Sequence, residues 1–293
     1  MFPLRVKKVY LDEAVGSDSV TIGSSAAAVS TESPQKQSPP KLLHNIKGII
    51  FDFDGTLFDN ARLPFFLIAS NPLDCMLIWK ERLIRKRFTG CDYAEPELYY
   101  RAFFAAMGKV CHRSPQRMQK WYFSQYMPRM VRVLERHFKP RLGVADLMQR
   151  FEQSRTMGAA SGKNIIPKIA IYSDYPFLKE RLEALEIYTG SGIPLYSPES
   201  FGAQKPATRP FLSIAADLGI TPEEILIIGD RQETDGIGAF NAGMRFFCLE
   251  TGRKRYVRLD PYRRRIKEEP HGPSLVMYAG RWEGIHALLT GLF

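Results

Sequence analysis

Residues 46–56 read I-K-G-I-I-F-D-F-D-G-T, and the rest of the chain can be organised around this stretch. Its dense apolar run predicts a buried strand, which Gly55 ends in a turn. A strand covered on both faces belongs in a parallel sheet with helices above and below it. The downstream pattern agrees: K-I-A-I-Y-S-D (168–174) and E-I-L-I-I-G-D (224–230) have the same texture. Shorter strands are expected at I-P-L-Y (193–196) and, as the last of the series, R-F-F-C-L-E (245–250). Helical segments fall between them at 144–152, 177–186, 207–218 and 237–242. Strands alternating with helices predict an α/β fold with a Rossmann-like parallel sheet core.

One block breaks the alternation. From residue 60 to 138 the texture is helical and aromatic, with Leu77, Ile78, Leu83 and Ile84 in one stretch and Leu98, Tyr99, Phe103 and Phe104 in the next. Ser114-Pro115 marks a helix start within it, with Ser as N-cap and Pro at the first helical position. The expected organisation is a core at 46–59 and 139–250, an inserted all-α cap subdomain at 60–138, a leader at 1–45 and a basic C-terminal extension at 251–293. Residues 16–40 are rich in Ser, Ala and Pro and lack a sustained apolar period, so the leader is expected to be flexible. The residues before that stretch offer at most a short strand.

With 293 residues, 45% hydrophobic and 25% charged, the chain has the composition of a soluble globular protein that can bury a real core. No apolar run approaches the roughly 18 residues of a membrane span. The opening M-F-P-L-R-V-K-K-V-Y-L-D-E-A-V lacks a secretory apolar region, and Asp12 and Glu13 argue against a transit peptide, so a cytoplasmic location is expected. Cys75, Cys91, Cys111 and Cys248 show neither C-x-x-C pairing nor metal-ligand spacing and are expected to remain thiols. The five histidines (44, 112, 137, 271 and 286) show no ligand spacing either.

Polar residues gather where the predicted strands end, which is where an open α/β sheet assembles a site. They are F-D-F-D-G-T (51–56), Y-S-D (172–174) and G-D-R-Q-E-T-D (229–235), with Q-K-P (204–206) between the last two. In this order and on this secondary structure, the sequence resembles the haloacid dehalogenase (HAD) superfamily. That family reads D-x-D-G-T, a strand ending in Ser or Thr, a Lys often followed by Pro, then G-D with a second Asp downstream. The resemblance spans about 46–250, and the 60–138 block sits where the family inserts a helical cap.

The residues themselves suit phosphoryl transfer. A phosphate monoester carries nearly two negative charges, so a carboxylate attacks it only once that charge is neutralised. Mg²⁺ does this and prefers oxygen ligands from a few carboxylates, phosphate and water. Asp52 is the candidate nucleophile and metal ligand. Asp54, two residues on, is the candidate acid and base, and the resemblance also places its backbone carbonyl on the metal. Gly55 allows a sharp turn that bares amide hydrogens to phosphoryl oxygens, and Thr56 completes this supporting loop. Ser173 and Lys205 are the candidate phosphate-binding groups, Asp230 is a direct metal ligand, and Asp235 is expected to hold Lys205 or a metal-bound water. Asp174 and Glu233 read as structural, and Asp59 as a solvent-side start to the cap hinge. The dehalogenases of the family lack the second Asp of D-x-D, because a halide leaves without a proton. Asp54 therefore favours phosphoryl transfer over dehalogenation.

Net charge is +10, of which residues 61–140 carry +9, and a further basic cluster runs from Arg253 to Lys267. Most such residues are expected to be solvated helix faces, with one or two gripping the far end of an anionic substrate. The expected reaction is Mg²⁺-dependent hydrolysis of a small phosphate monoester. A phosphomutase is the enzymatic alternative, because it shares every catalytic residue. A nucleic-acid or anionic-surface binder on a phosphatase-like core is the alternative from another class. It rests on Trp121, Tyr122, Phe123 and Tyr126 lying among Arg and Lys, but four aromatics in six helical residues cannot share one face. No nucleic-acid motif is visible, and nucleic acid is disfavoured as a partner.

Overall fold

The computed structural model describes residues 7–10, 43, 45–161, 166–187, 192–250 and 276–293. Most of the expected leader, the 253–267 basic cluster, His44 and His271 lie outside the described residues. The centre is a seven-stranded sheet of β1 (Lys7–Tyr10), β2 (Gly48–Asp52), β3 (Lys168–Tyr172), β4 (Leu195–Tyr196), β5 (Ile225–Gly229), β6 (Arg245–Leu249) and β7 (Val276–Gly280). Their order is β1-β7-β6-β5-β2-β3-β4, and every pairing is parallel.

β2 and β5 are buried at every residue, as continuous apolar strands in a two-sided sheet should be. Alternation divides their side chains between two cores: Ile49, Phe51, Leu226 and Ile228 enter one, while Ile50 and Ile227 enter the other. The sheet grows outward from β2 in both directions, with β3 on one side and β5 on the other. β2 is thus the topological switch point, and the crevice beyond its carboxyl end is where such sheets bind ligands. Register aligns the three strand ends, pairing Asp52 with Tyr172 and Phe51 with Ile228. Ser173 and Asp230 each follow directly on a flanking strand.

Two expectations are corrected. The strand at 245–249 is not the last: β7 pairs with it and continues the sheet. Nor is everything before residue 46 a leader, because Lys7–Tyr10 pairs with Val276–Gly280 at the sheet edge. A four-residue strand offers too little periodicity to stand out, and its partner lies more than 260 residues away.

Between β2 and β3 the chain forms the inserted helical cap. Its helices are α1 (Leu63–Ser70), α2 (Cys75–Arg87), α3 (Pro96–Cys111), α4 (Pro115–Trp121) and α5 (Met127–His137), with a π-helical turn at Tyr122–Tyr126 joining the last two. Ser114 caps α4 by accepting from the Arg117 amide at 3.2 Å. The wider π turn brings residues five apart into line, so Trp121 stacks on Tyr126 at 5.1 Å. Trp121, Tyr122 and Tyr126 are buried and Phe123 is half-buried in the same aromatic cluster. Those four rings therefore do not form the stacking surface that a nucleic-acid reading needs.

The cap is stitched to the core beside Lys205. Gly90 N donates to Lys205 O at 3.1 Å, Tyr93 N to Gly202 O at 3.0 Å, and Gln204 N to Cys91 O at 3.0 Å. Arg209 grips the Asp92 carboxylate with two nitrogens. Arg85, expected among the solvated basic residues, is buried instead: it pairs with Glu81 and donates to the Asp174 carbonyl at 2.8 Å.

Candidate active site

β2 delivers Asp52 at its end, and the turn that follows folds back over it. Thr56 Oγ1 donates to Asp52 Oδ2 at 2.9 Å, and Lys205 Nζ donates to Asp52 Oδ1 at 2.5 Å. Lys205 Nζ also donates to Asp235 Oδ1 at 2.8 Å, and its side chain is only 2% exposed. The Asp174 carboxylate accepts from the Lys205 backbone N–H at 3.0 Å, which fixes the loop that presents the lysine. Burial works against the ammonium, but Asp235 and Asp52 outweigh it and hold the Lys205 pKa well above its usual value.

Gly55 is required by space as well as by conformation. Its φ is +95°, and a Cβ there would lie 2.4 Å from Asp230 Oδ2. Gly229 is similarly constrained, since a Cβ would meet Asp235 Oδ2 at 2.5 Å. Asp52, Asp230 and Asp235 each bring a carboxylate oxygen within 4.8 Å of the others, a grouping that fits a cation. Asp230 Oδ1 is buried without a hydrogen-bond partner, which is the state of an oxygen suited to a metal. Burial, then the neighbouring Asp52 and Asp235 charges, push the Asp230 carboxyl well above the ordinary range. Burial and Asp52 likewise raise Asp235 to about 7.

Asp54 faces β3. Its Oδ2 accepts from Ser173 Oγ at 2.9 Å, and its Oδ1 forms an ion pair with Arg181. Burial raises its pKa, with Arg181 and Ser173 acting in the opposite direction and Asp52 adding to the rise. Asp59 is exposed and accepts from Ala61 N at 3.0 Å, an Asx turn at the entry to the cap. Glu233 is exposed and lies 3.6 Å from Arg231.

The fold thus gathers Asp52, Asp54, Gly55, Thr56, Ser173, Lys205, Asp230 and Asp235 at one end of the sheet. Two arginines join them that sequence reasoning passed over. Arg141 donates to the carbonyls of Thr56 at 2.9 Å and Gly55 at 2.8 Å, bracing the loop after Asp52. Arg181 lies on α6 (Leu178–Ala184) beside the buried Leu178 and Leu182, with Leu185 just beyond the helix end. Positions 178, 181, 182 and 185 form one helical stripe, so an arginine in its core-facing slot was the available signal. A cleft of about 870 Å³ opens onto Asp230 and Arg231 and is walled on the cap side by Trp79, Arg82 and Lys86.

Comparison with known proteins agrees with this geometry. A family model described as HAD-hydrolase-like matches residues 202–272. Phosphoglycolate phosphatase of Salmonella typhi is 28% identical over 198 residues, covering 64% of this chain and 75% of the relative. The phosphoglycolate phosphatase of Escherichia coli K12 is also 28% identical, over 197 residues, covering 64% and 74%. A dehalogenase crystal structure with an intermediate complex superposes with a TM-score of 0.50 at 14% identity, covering 83% of this chain and 97% of that one, a likeness of fold alone. The chain is thus similar to HAD-like hydrolases in its matched segment and in these relatives. Among the described residues no helix is long and apolar enough to cross a membrane.

Proposed function

We propose that the protein hydrolyses a small phosphate monoester with Mg²⁺, through an aspartyl-phosphate formed on Asp52. The observation that carries this reading is the environment of the Asp52 carboxylate. One oxygen is held by buried Lys205, the other by Thr56, and Asp54 stands two residues away with its own carboxylate fixed. Such restraint presents a nucleophile in one orientation.

In the first half-reaction an Asp52 oxygen attacks phosphorus, the ester P–O bond breaks, and Asp54 gives its proton to the departing oxygen. In the second, water attacks the phosphorus of the acyl phosphate, its proton passes to Asp54, and inorganic phosphate leaves as Asp52 is regenerated. Lys205 offsets the charge of Asp52 and of the incoming phosphoryl group, while Ser173, expected to bind phosphate, commits its hydroxyl to Asp54. The carboxylates of Asp52 and Asp230 would hold Mg²⁺, with the Asp54 carbonyl as a further ligand. The ion supplies charge neutralisation for the phosphoryl oxygens. Asp235 secures Lys205.

The relatives named for phosphoglycolate make that ester the first substrate to test. Purified protein is assayed against a panel of phosphate esters with Mg²⁺, alongside Asp52→Asn. Turnover in the wild type and none in the variant is expected. Equal turnover in both would overturn the reading.

A further inference from the structure

We infer that Arg181 is the positioning residue for the acid–base group, fixing the Asp54 carboxylate through a fork that also grips Ser173. Its Nη2 pairs with Asp54 Oδ1, and its Nη1 donates to Ser173 Oγ at 3.0 Å. Ser173 Oγ in turn donates to Asp54 Oδ2 at 2.9 Å. The three side chains form a closed ring of hydrogen bonds in which both carboxylate oxygens are engaged, so Asp54 cannot rotate without breaking one of them. The guanidinium lies 4.5 Å above the Phe53 ring, which fixes the arginine from its other side.

The setting argues against a purely structural role. Arg181 is 0% exposed, and Asp54 is its ion-pair partner. Its slot on α6 belongs to a leucine stripe, where an apolar side chain would fill the space with no charge to desolvate. Placement matters because a proton donor must lie within hydrogen-bond reach of the leaving oxygen, and a misplacement of about 1 Å costs on the order of a hundredfold in rate. Arg181 acts through Asp54, and it is not among the residues lining the open cleft.

This inference rests on the acid–base reading of Asp54, and the test separates the two. kcat/KM reports the half-reaction in which the leaving group departs. It is measured for esters running from nitrophenyl to alkyl phosphates in wild type, Asp54→Asn, Arg181→Met and Arg181→Lys, with melting curves for each. Asp54→Asn should make the dependence on leaving-group pKa much steeper; if its slope stays that of the wild type, the acid role of Asp54 itself is wrong. Given a steep Asp54→Asn line, Arg181→Met should approach it. The expected loss is about a hundredfold for alkyl esters and less than about tenfold for nitrophenyl phosphate, with Arg181→Lys intermediate. A uniform loss across the series, or none, would overturn the positioning role, because a structural defect lowers every ester alike. Should Arg181→Met fail to fold, the slope of Arg181→Lys decides by the same criterion.

Discussion

Lys205→Met offers a quantitative test of how the site is held together. The lysine is 2% exposed and bonds Asp52 at 2.5 Å and Asp235 at 2.8 Å. Methionine fills similar space but leaves both carboxylates buried without their cation. Breaking a buried pair from one side costs roughly 3–5 kcal/mol, which corresponds to about 6–20 °C in Tm for a chain of this size. The effect should depend on pH. Asp235 already sits at about 7, raised by burial and by Asp52, and loss of the ammonium moves it further up. A carboxyl whose folded pKa exceeds its unfolded value of about 3.9 binds its proton more tightly in the folded state, so it weakens stability as pH rises through that window. The Tm deficit of the variant should therefore be larger at pH 8 than at pH 5. The assay is thermal unfolding in EDTA, so that no cation replaces the lysine. A deficit below about 2 °C at pH 8, or one that grows as pH falls, would refute the reasoning.

Three further outcomes are expected. Gly55→Ala combines a left-handed backbone, worth about 1–2 kcal/mol, with a clash against Asp230, and should lower both Tm and turnover; unchanged kinetics would mean the loop is not held against Asp230. Turnover should vanish with EDTA and return with Mg²⁺, and Asp230→Ala should raise the Mg²⁺ concentration needed; activity undiminished after chelation would remove the metal from the account. Deleting residues 1–10 removes β1 and bares the edge of β7, so Tm should fall by a few degrees; an unchanged Tm would return that segment to the role of a leader.

Much of the site was legible in the sequence because it sits where local signals are strong. Apolar strands mark the sheet, and the polar residues that follow them emerge at one end by parallel register alone. Asp52, Ser173 and Asp230 were therefore readable without contacts. Arg181 and Arg141 were not, since each functions through partners 127 and 85 residues away in sequence. Arg85 was misjudged for a similar reason. Its position in a basic run suggests solvent, while Glu81 one turn earlier and Tyr122 on another element draw it inside. β7 escaped, and β1 could be read as no more than a possible short strand, because a short edge strand is defined by its partner.

Covalent chemistry on Asp52 would leave an intermediate that can be trapped. Asp54→Asn, which lacks the group that activates water, is incubated with Mg²⁺ and acetyl phosphate or nitrophenyl phosphate. It is then quenched with borohydride, which converts an aspartyl-phosphate to homoserine, and digested for mass spectrometry. Residue 52 alone should be converted, and Asp52→Asn should abolish the signal. Modification at any other carboxylate, or efficient turnover by the wild type with residue 52 never labelled, would contradict it.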